Sequence, residues 1–106
     1  MAYYVSLVTF TESGVKNLRM TTSRAKAFEE KMATFGVRML TTLWTIGQYD
    51  IVHVFECADD TTAATFACTL NSLGNVKSHT MRAFTAKEMT TIIDNVKTPY
   101  ELLKGL

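Results

Sequence analysis

Four short runs of aromatic and β-branched residues alternate with two stretches of helical periodicity, and this order leaves very few folds open to the chain. The runs, which we interpret as strands, are residues 3–10, 37–45, 50–57 and 76–84. One helical stretch lies between the first two strands and the other between the last two. The order predicts an α+β domain of the ferredoxin-like βαββαβ type. We therefore expect a four-stranded antiparallel sheet with both helices on one face.

Each of these helices has an apolar stripe and signals for its start and its end. The hydroxyl residues at 21–23 suit the N-cap of the first helix, and Gly36 suits a left-handed residue just beyond its last turn. Asp59 and Asp60 suit the N-cap of the second helix, which Gly74 ends. The stripes recur at helical spacing and comprise Ala25, Phe28, Met32 and Phe35, then Ala63, Phe66, Ala67, Leu70 and Leu73.

The end of the chain carries more apolar residues than a free terminus usually does. Residues 85–96 predict an extra C-terminal helix, which Pro99 follows after a short gap. Four of the last seven residues are Tyr or Leu. We expect residues 1–96 to form the domain and residues 97–106 to form an apolar tail that docks on its own domain or, as we favour, on a neighbour.

The first and third strands are apolar on both faces, although a sheet with one wet face should alternate apolar and polar residues. Two helices can cover only one face. The tail, the sheet of a second copy, or both must cover the other, which predicts a homo-oligomer. We expect the set facing the helices to be Val5, Leu7, Val52 and Val54. The opposite set would then be Tyr4, Val8, Phe10, Ile51, His53, Phe55 and Cys57.

Composition and motifs exclude several classes of function. With 106 residues and a net charge of +1, the chain lacks the basic excess of a nucleic-acid-binding surface. No stretch approaches the roughly 18 apolar residues of a membrane span, and no signal peptide is recognisable, so we expect a cytoplasmic protein. The two cysteines do not have zinc-site spacing. No phosphate loop, GxSxG or HExxH motif is present, and we predict neither a metal nor a cofactor.

Residues 44–52, Trp-Thr-Ile-Gly-Gln-Tyr-Asp-Ile-Val, resemble the GYD family, which is named for such a Gly-x-Tyr-Asp turn. Further similarity lies in residues 4–11, 14–17, 72–76 and 82–84. The family is similar to the dimeric α/β-barrel superfamily, whose ferredoxin-like protomers stack sheet against sheet. The resemblance thus implies the same fold and a homodimer, but it implies no reaction.

The hairpin also resembles the effector-binding domain of leucine-responsive regulators. In that domain a Gly and an Asp of the same hairpin lie near a small-molecule site between subunits. This chain lacks the helix-turn-helix of those regulators, so we do not expect it to bind DNA by that route. Gly47, Tyr49 and Asp50 would line the ligand site under this interpretation, and Trp44 would stack on the ligand. The alternative is that they are ordinary turn and packing residues.

His53 is the candidate catalytic residue, because a histidine in mid-strand can act as a general base. Cofactor-free oxygenases of the barrel superfamily often place His, Trp and polar groups between helices and sheet. The resemblance therefore implies such chemistry if His53, Trp44 and Tyr49 converge. The alternative is a core or interface histidine with one hydrogen bond. Cys57 could be a nucleophile only with a lowered pKa, and otherwise it is a small buried hydrophobe.

Three hypotheses about function follow. The first is a homo-oligomeric module that binds a small, largely apolar ligand between helices and sheet or between subunits. The second is a cofactor-independent oxygenase or isomerase with His53 as its base. The third is a structural subunit of a larger assembly that is joined through the tail, residues 97–106.

Overall fold

The computed structural model covers residues 1–106 and has the predicted order of strands and helices. A single 3₁₀ turn, Leu18–Met20, links the first two helices. The strands are β1 (Ala2–Phe10), β2 (Arg38–Trp44), β3 (Ile51–Cys57) and β4 (Val76–Ala83). The helices are α1 (Glu12–Lys16), α2 (Thr21–Ala33), α3 (Asp60–Ser72), α4 (Ala86–Asp94) and α5 (Pro99–Leu103). None of these helices has both the length and the apolar content to span a membrane.

The four strands form one antiparallel sheet in the order β2-β3-β1-β4. β1 and β3 are the central strands, and Ser6 of β1 lies between His53 of β3 and Thr80 of β4. α2 lies against β2 and α3 lies against β4. The ferredoxin-like α+β fold is therefore confirmed.

The prediction of which sheet face meets the helices is wrong. Ile51, His53 and Phe55 are buried beneath the helices, whereas the set comprising Val5, Leu7, Val52 and Val54 lies half-buried on the opposite, open face. Aromatic rings fill the space under the helices, since Phe66 of α3 lies 4.3 Å from the Phe55 ring centroid. Tyr4, Ser6 and His53 face inward, where they have aromatic contacts or hydrogen-bond partners.

The helix ends follow the predicted signals with one exception. Gly36 and Gly74 have the left-handed φ values of 84° and 83°, and Asp59 caps α3 by accepting from the Thr62 N–H. α2, however, begins within the hydroxyl run, and Met20 is its N-cap without a side-chain bond. The 3₁₀ turn supplies the partner instead, because its carbonyl at Leu18 accepts the N–H of the first helical residue.

α1 approaches the loop before β4 so closely that only glycine fits at position 14. A Cβ on Gly14 would lie 1.9 Å from the carbonyl oxygen of Asn75. Thr11 reinforces this contact, because its N–H donates to the same oxygen at 3.1 Å and its hydroxyl donates to the Gly74 carbonyl at 2.6 Å. The contact fastens the segment after β1 to the start of β4.

Arg82 joins the end of β4 to the start of α4. Its guanidinium lies over the rings of Tyr4 and Phe84 and pairs with Glu88 at 3.4 Å. The Tyr4 hydroxyl donates to Asp60 at 2.6 Å. Burial, together with that hydrogen bond, raises the pKa of Tyr4 to about 12, so the hydroxyl stays protonated at neutral pH.

α4 and α5 extend away from the sheet and bury no residue of their own. α4 starts with a capping box formed by Thr85 and Glu88, and α5 starts with a second one formed by Thr98 and Glu101. The molecule is accordingly long, with extents of 61 × 30 × 22 Å. The large apolar side chains from α4 to the end of the chain are exposed and comprise Met89, Ile92, Ile93, Val96, Tyr100, Leu102, Leu103 and Leu106.

Candidate functional site

A cavity of about 440 Å³ lies between the helices and the central strands. It exists because α2 sits over β2 and α3 over β4, which leaves a gap above β1 and β3. Phe28 and Phe66 meet at 5.4 Å between ring centroids and help to close the gap between the helices. The lining residues are Val8, Phe10, Gly14, Asn17, Thr21, Arg24, Ala25, Ala27, Phe28, Ile51, His53, Leu70, Leu73, Asn75 and Val76.

His53 is the buried polar residue of the cavity wall, and it belongs to a chain of hydrogen bonds. Its Nδ1 lies 3.2 Å from the Thr42 hydroxyl, which donates at 2.5 Å to Oε1 of Glu29. A hydroxyl has one proton, and a carboxylate can only accept. Since Thr42 gives its proton to Glu29, it can only accept from His53. Nδ1 therefore carries the ring proton, and Nε2 has a free lone pair.

The imidazole of His53 is neutral at pH 7. Burial lowers its pKa below the ordinary value, and the Glu29 carboxylate offsets this shift only in part. Its other neighbours are uncharged: the Phe66 ring stands edge-on with its centroid 6.1 Å away, and Ser6 lies opposite on β1. The cavity wall thus presents an uncharged acceptor rather than a cation.

The mouth of the cavity is polar and bears one positive charge. Asn17, Thr21 and Arg24 line it from the start of α2 and the turn before it. Arg24 is exposed and takes part in none of the three ion pairs of the structure. Trp44 lies just outside the cavity wall and fixes this edge by donating its indole N–H to the Thr21 hydroxyl at 3.1 Å.

The hairpin between β2 and β3 holds one wall of the cavity without lining it. Gly47 has a φ of 131°, which favours glycine. Asp50 binds β1 twice: its carboxylate accepts the Phe10 N–H at 2.8 Å, and its own N–H donates to the Val8 carbonyl at 2.8 Å. Phe10 and Val8 both face the cavity. Asp50 therefore positions two lining residues.

Residues 4–93 match the family model of the GYD domain. The chain belongs to the GYD domain family. The match includes all of the sheet except the first two residues of β1, all of α1 to α3 and nearly all of α4, whereas α5 and the residues after it lie outside. The Gly-x-Tyr-Asp turn of this GYD domain is the hairpin that binds β1.

One relative of this GYD domain is a Thermus thermophilus protein named glutamine synthetase and cystathionine beta-lyase binding protein. The two sequences are 31% identical over 90 residues, which cover 84% of this chain and 95% of the relative. No solved structure matches the chain significantly.

The sequence-predicted site residues of the GYD domain do not come together in one place. His53 lines the cavity, but Trp44, Gly47, Tyr49 and Asp50 do not. The Tyr49 ring packs edge-on against His79, with 6.3 Å between ring centroids. That histidine is paired with Leu7 on the open face, so it lies on the opposite side of the sheet from His53.

Cys57 has the environment of a structural residue. It is fully buried, and its Sγ donates to the Asp59 carbonyl at 3.4 Å. Burial raises the pKa of its thiol above the ordinary value, which leaves it protonated. This environment fits the interpretation of Cys57 as a small buried hydrophobe.

Sequence reasoning missed both partners of His53. The pairing of Thr42 with His53 could have been predicted from the hairpin. Counting back from the turn at 46–49 places residue 42 opposite residue 53, as in the structure. Glu29 gave no signal, since it lies beside the apolar stripe of α2, where charged residues are usual. Asn17, Arg24 and Asn75 were also missed, because polar residues at helix starts and turns have no distinctive pattern.

Proposed function

We propose that this GYD domain is a homo-oligomeric module that binds a small, largely apolar ligand in the cavity between helices and sheet. The cavity itself carries the proposal. Its volume of about 440 Å³ lies within the range of roughly 300–1,000 Å³ that is usual for ligand sites. Nine of its fifteen lining residues are hydrophobic. One polar group at the inner wall, His53, and several at the mouth provide the few fixed contacts that orient a ligand.

A second copy of the chain is the partner we infer for the open sheet face. Three half-buried valines and one half-buried leucine lie at its centre, and Leu43 and Met81 on the outer strands are 56% and 46% exposed. Sheets pack face to face about 10 Å apart, so a two-fold related sheet would cover this surface. We propose that the tail, residues 97–106, docks on the same neighbouring subunit, because its apolar side chains are at least 60% exposed on their own domain.

The name of the Thermus relative supports a binding role. That protein is named for binding two enzymes. We infer for this chain a role in binding rather than a purely architectural one. A cytoplasmic location remains a prediction, and the free thiols of Cys57 and Cys68 suit a reducing compartment.

A cavity-filling variant tests the ligand site. Ala25 lines the cavity on α2, and Ala33 lies on the same helix outside it. We expect Ala25→Phe to weaken the binding of 1-anilinonaphthalene-8-sulfonate at least tenfold in a fluorescence titration, because the new ring occupies the space of the probe. Ala33→Phe should bind it as the wild type does. Equal binding by all three proteins would refute the proposal.

A cofactor-independent oxygenase or isomerase is the second candidate, and the hydrogen-bond chain from His53 to Glu29 favours it. A neutral imidazole with a fixed tautomer and a free Nε2 is the form a general base needs. In this case His53→Ala would abolish turnover but leave ligand binding measurable. If the variant kept both turnover and ligand binding, the enzyme hypothesis would be refuted and the binding module would stand.

A further inference from the structure

We infer that the cavity selects ligands that bring an O–H or N–H donor to its inner wall, such as phenols or secondary amides, over isosteric ligands that lack one. The inference rests on the proposed function, because it names the chemistry of the ligand held at the same site. It follows from three properties of His53: its tautomer, the position of Nε2 and its charge.

The tautomer is fixed from outside the cavity. Thr42 stands directly opposite His53 across the β2–β3 ladder, so their side chains share the helix face of the sheet. Glu29 reaches the same hydroxyl from α2. Together these groups engage Nδ1 and assign it the ring proton, which leaves Nε2 an acceptor at all times when the ring is neutral.

Nε2 faces the cavity. His53 is only 4% exposed, and its hydrogen bond within the protein uses Nδ1. No buried side-chain nitrogen or oxygen of the structure is without a partner, so Nε2 must keep some accessible surface. The accessible space that His53 lines is the cavity. A ligand that fills this space separates Nε2 from solvent and must itself donate a hydrogen bond to it.

A ligand with only acceptors cannot make that replacement. An ether or ketone oxygen would set one lone pair against another, and a carboxylate would require the ring to gain a proton in a buried site. A donor on the ligand meets neither obstacle. The apolar remainder of the wall, including Ile51, Phe28 and Leu70, then holds the hydrocarbon part of the ligand.

A matched pair of probes tests the inference. 2-Naphthol and 2-methoxynaphthalene differ by one methyl group, and only the first has a donor. We expect the wild-type protein to bind 2-naphthol about tenfold more tightly in equilibrium dialysis at pH 7, since a buried hydrogen bond is worth about that factor. His53→Phe keeps a ring of similar size without Nε2 and should bind the two probes equally.

The origin of the preference is tested through Thr42. Thr42→Val removes the hydroxyl that fixes Nδ1–H, and we expect the naphthol preference to fall by at least half. Thr42→Ser keeps the hydroxyl and should preserve the preference. Nitrogen-15 NMR of the imidazole provides a readout that needs no ligand: the proton should reside on Nδ1 in the wild type and in Thr42→Ser.

Each contrary outcome has a separate meaning. If both probes bind the wild type equally, the donor inference is overturned and the binding module stands. If neither probe binds, both are overturned. A proton found on Nε2 by NMR overturns the donor inference by itself, whatever the affinities are.

Discussion

Thr42 shows how a residue outside a cavity can decide what the cavity wall offers. Its hydroxyl lies between His53 and Glu29, and the order of donation fixes the imidazole tautomer. The sequence identified His53 as a mid-strand residue that could act as a general base. It did not show the hydrogen-bond chain, because Glu29 reaches the site from α2. Packing sets the angle of that helix to the sheet, and the spacing of residues along the sequence does not reveal it.

The depressed pKa of His53 predicts that acid destabilises the fold. The unfolded chain binds a proton near the ordinary histidine pKa of about 6.5, whereas the folded chain binds it only at lower pH. Stability is therefore complete above about pH 6.5 and falls as the pH drops towards the folded pKa, with a slope of at most about 1.4 kcal/mol per pH unit. Urea unfolding at pH 7.5, 6.5 and 5.5 measures this loss of stability. Glu29 is the charged group that acts on the His53 ring.

His53→Phe is the comparison for that experiment. The variant should lose this part of the pH dependence, because no imidazole remains to be protonated on unfolding. A variant with the same decline between pH 7.5 and 5.5 as the wild type would show that other groups cause it.

Gly14 gives a prediction about steric fit. Gly14→Ala would place a Cβ against the Asn75 carbonyl, and we expect the free energy of unfolding to fall by about 1–3 kcal/mol. Denaturant unfolding measures the change. Val15→Ala, one residue later on the same helix, should change stability by less than about 0.5 kcal/mol, because Val15 is 58% exposed. Equal effects of the two substitutions would contradict the argument.

β1 and β3 explain why the strands were predictable while their orientation was not. Aromatic and β-branched residues set the strand positions, and turn residues set the ends within one or two positions. Both faces of each strand are apolar, so hydrophobicity alone could not identify the side facing the helices. The buried histidine and serine settle that choice through their partners Thr42 and Thr80, which become visible only with the register.

α4 and α5 are helices that carry their own start signals rather than relying on packing. Each begins with a capping box, and neither buries a residue. The apolar spacing of residues 85–96 predicted α4, whereas α5 has only five residues, which is too short for a helical pattern, and it was not predicted. The apolar side chains of these elements are unused within the domain, which motivates a test of the tail.

Deletion of residues 97–106 tests whether the tail contributes to assembly. We expect the truncated chain to keep its fold, because α5 buries none of its residues and adds nothing to the core. Its particle mass in light scattering should fall by more than the mass of the removed residues, since a docked tail adds apolar contact between subunits. An unchanged number of subunits per particle would count against tail docking.

The whole molecule has a cavity on one side of its sheet and an open apolar face on the other. The cavity lies above β1 and β3, and the open apolar face lies below the same strands. The sequence anticipated this division from the two-sided apolar pattern. It could not locate the cavity, because a cavity depends on how far apart two helices lie.

Val54→Lys tests the open face as the contact between copies. Val54 lies on central strand β3 with its side chain on that face, and a buried lysine there would lack a partner. We expect the wild type to be at least dimeric and the variant to be monomeric in light scattering, with unchanged circular dichroism. Val15→Lys on α1 is the matched control, because Val15 is 58% exposed and does not belong to the sheet. A variant with the wild-type mass would refute the assignment.

The alternation along β3 has a consequence for how such a chain can diverge. Val52 and Val54 face one side, while Ile51, His53 and Phe55 face the other. Substitutions on one side therefore need not alter the other side, and the proposed subunit contact and the proposed ligand site can change independently. The length of β3 cannot change in the same way, because one inserted or deleted residue would move the side chains beyond it to the opposite face of the sheet. Among related chains, we expect the amino-acid sequence of β3 to vary while the length of the strand stays constant.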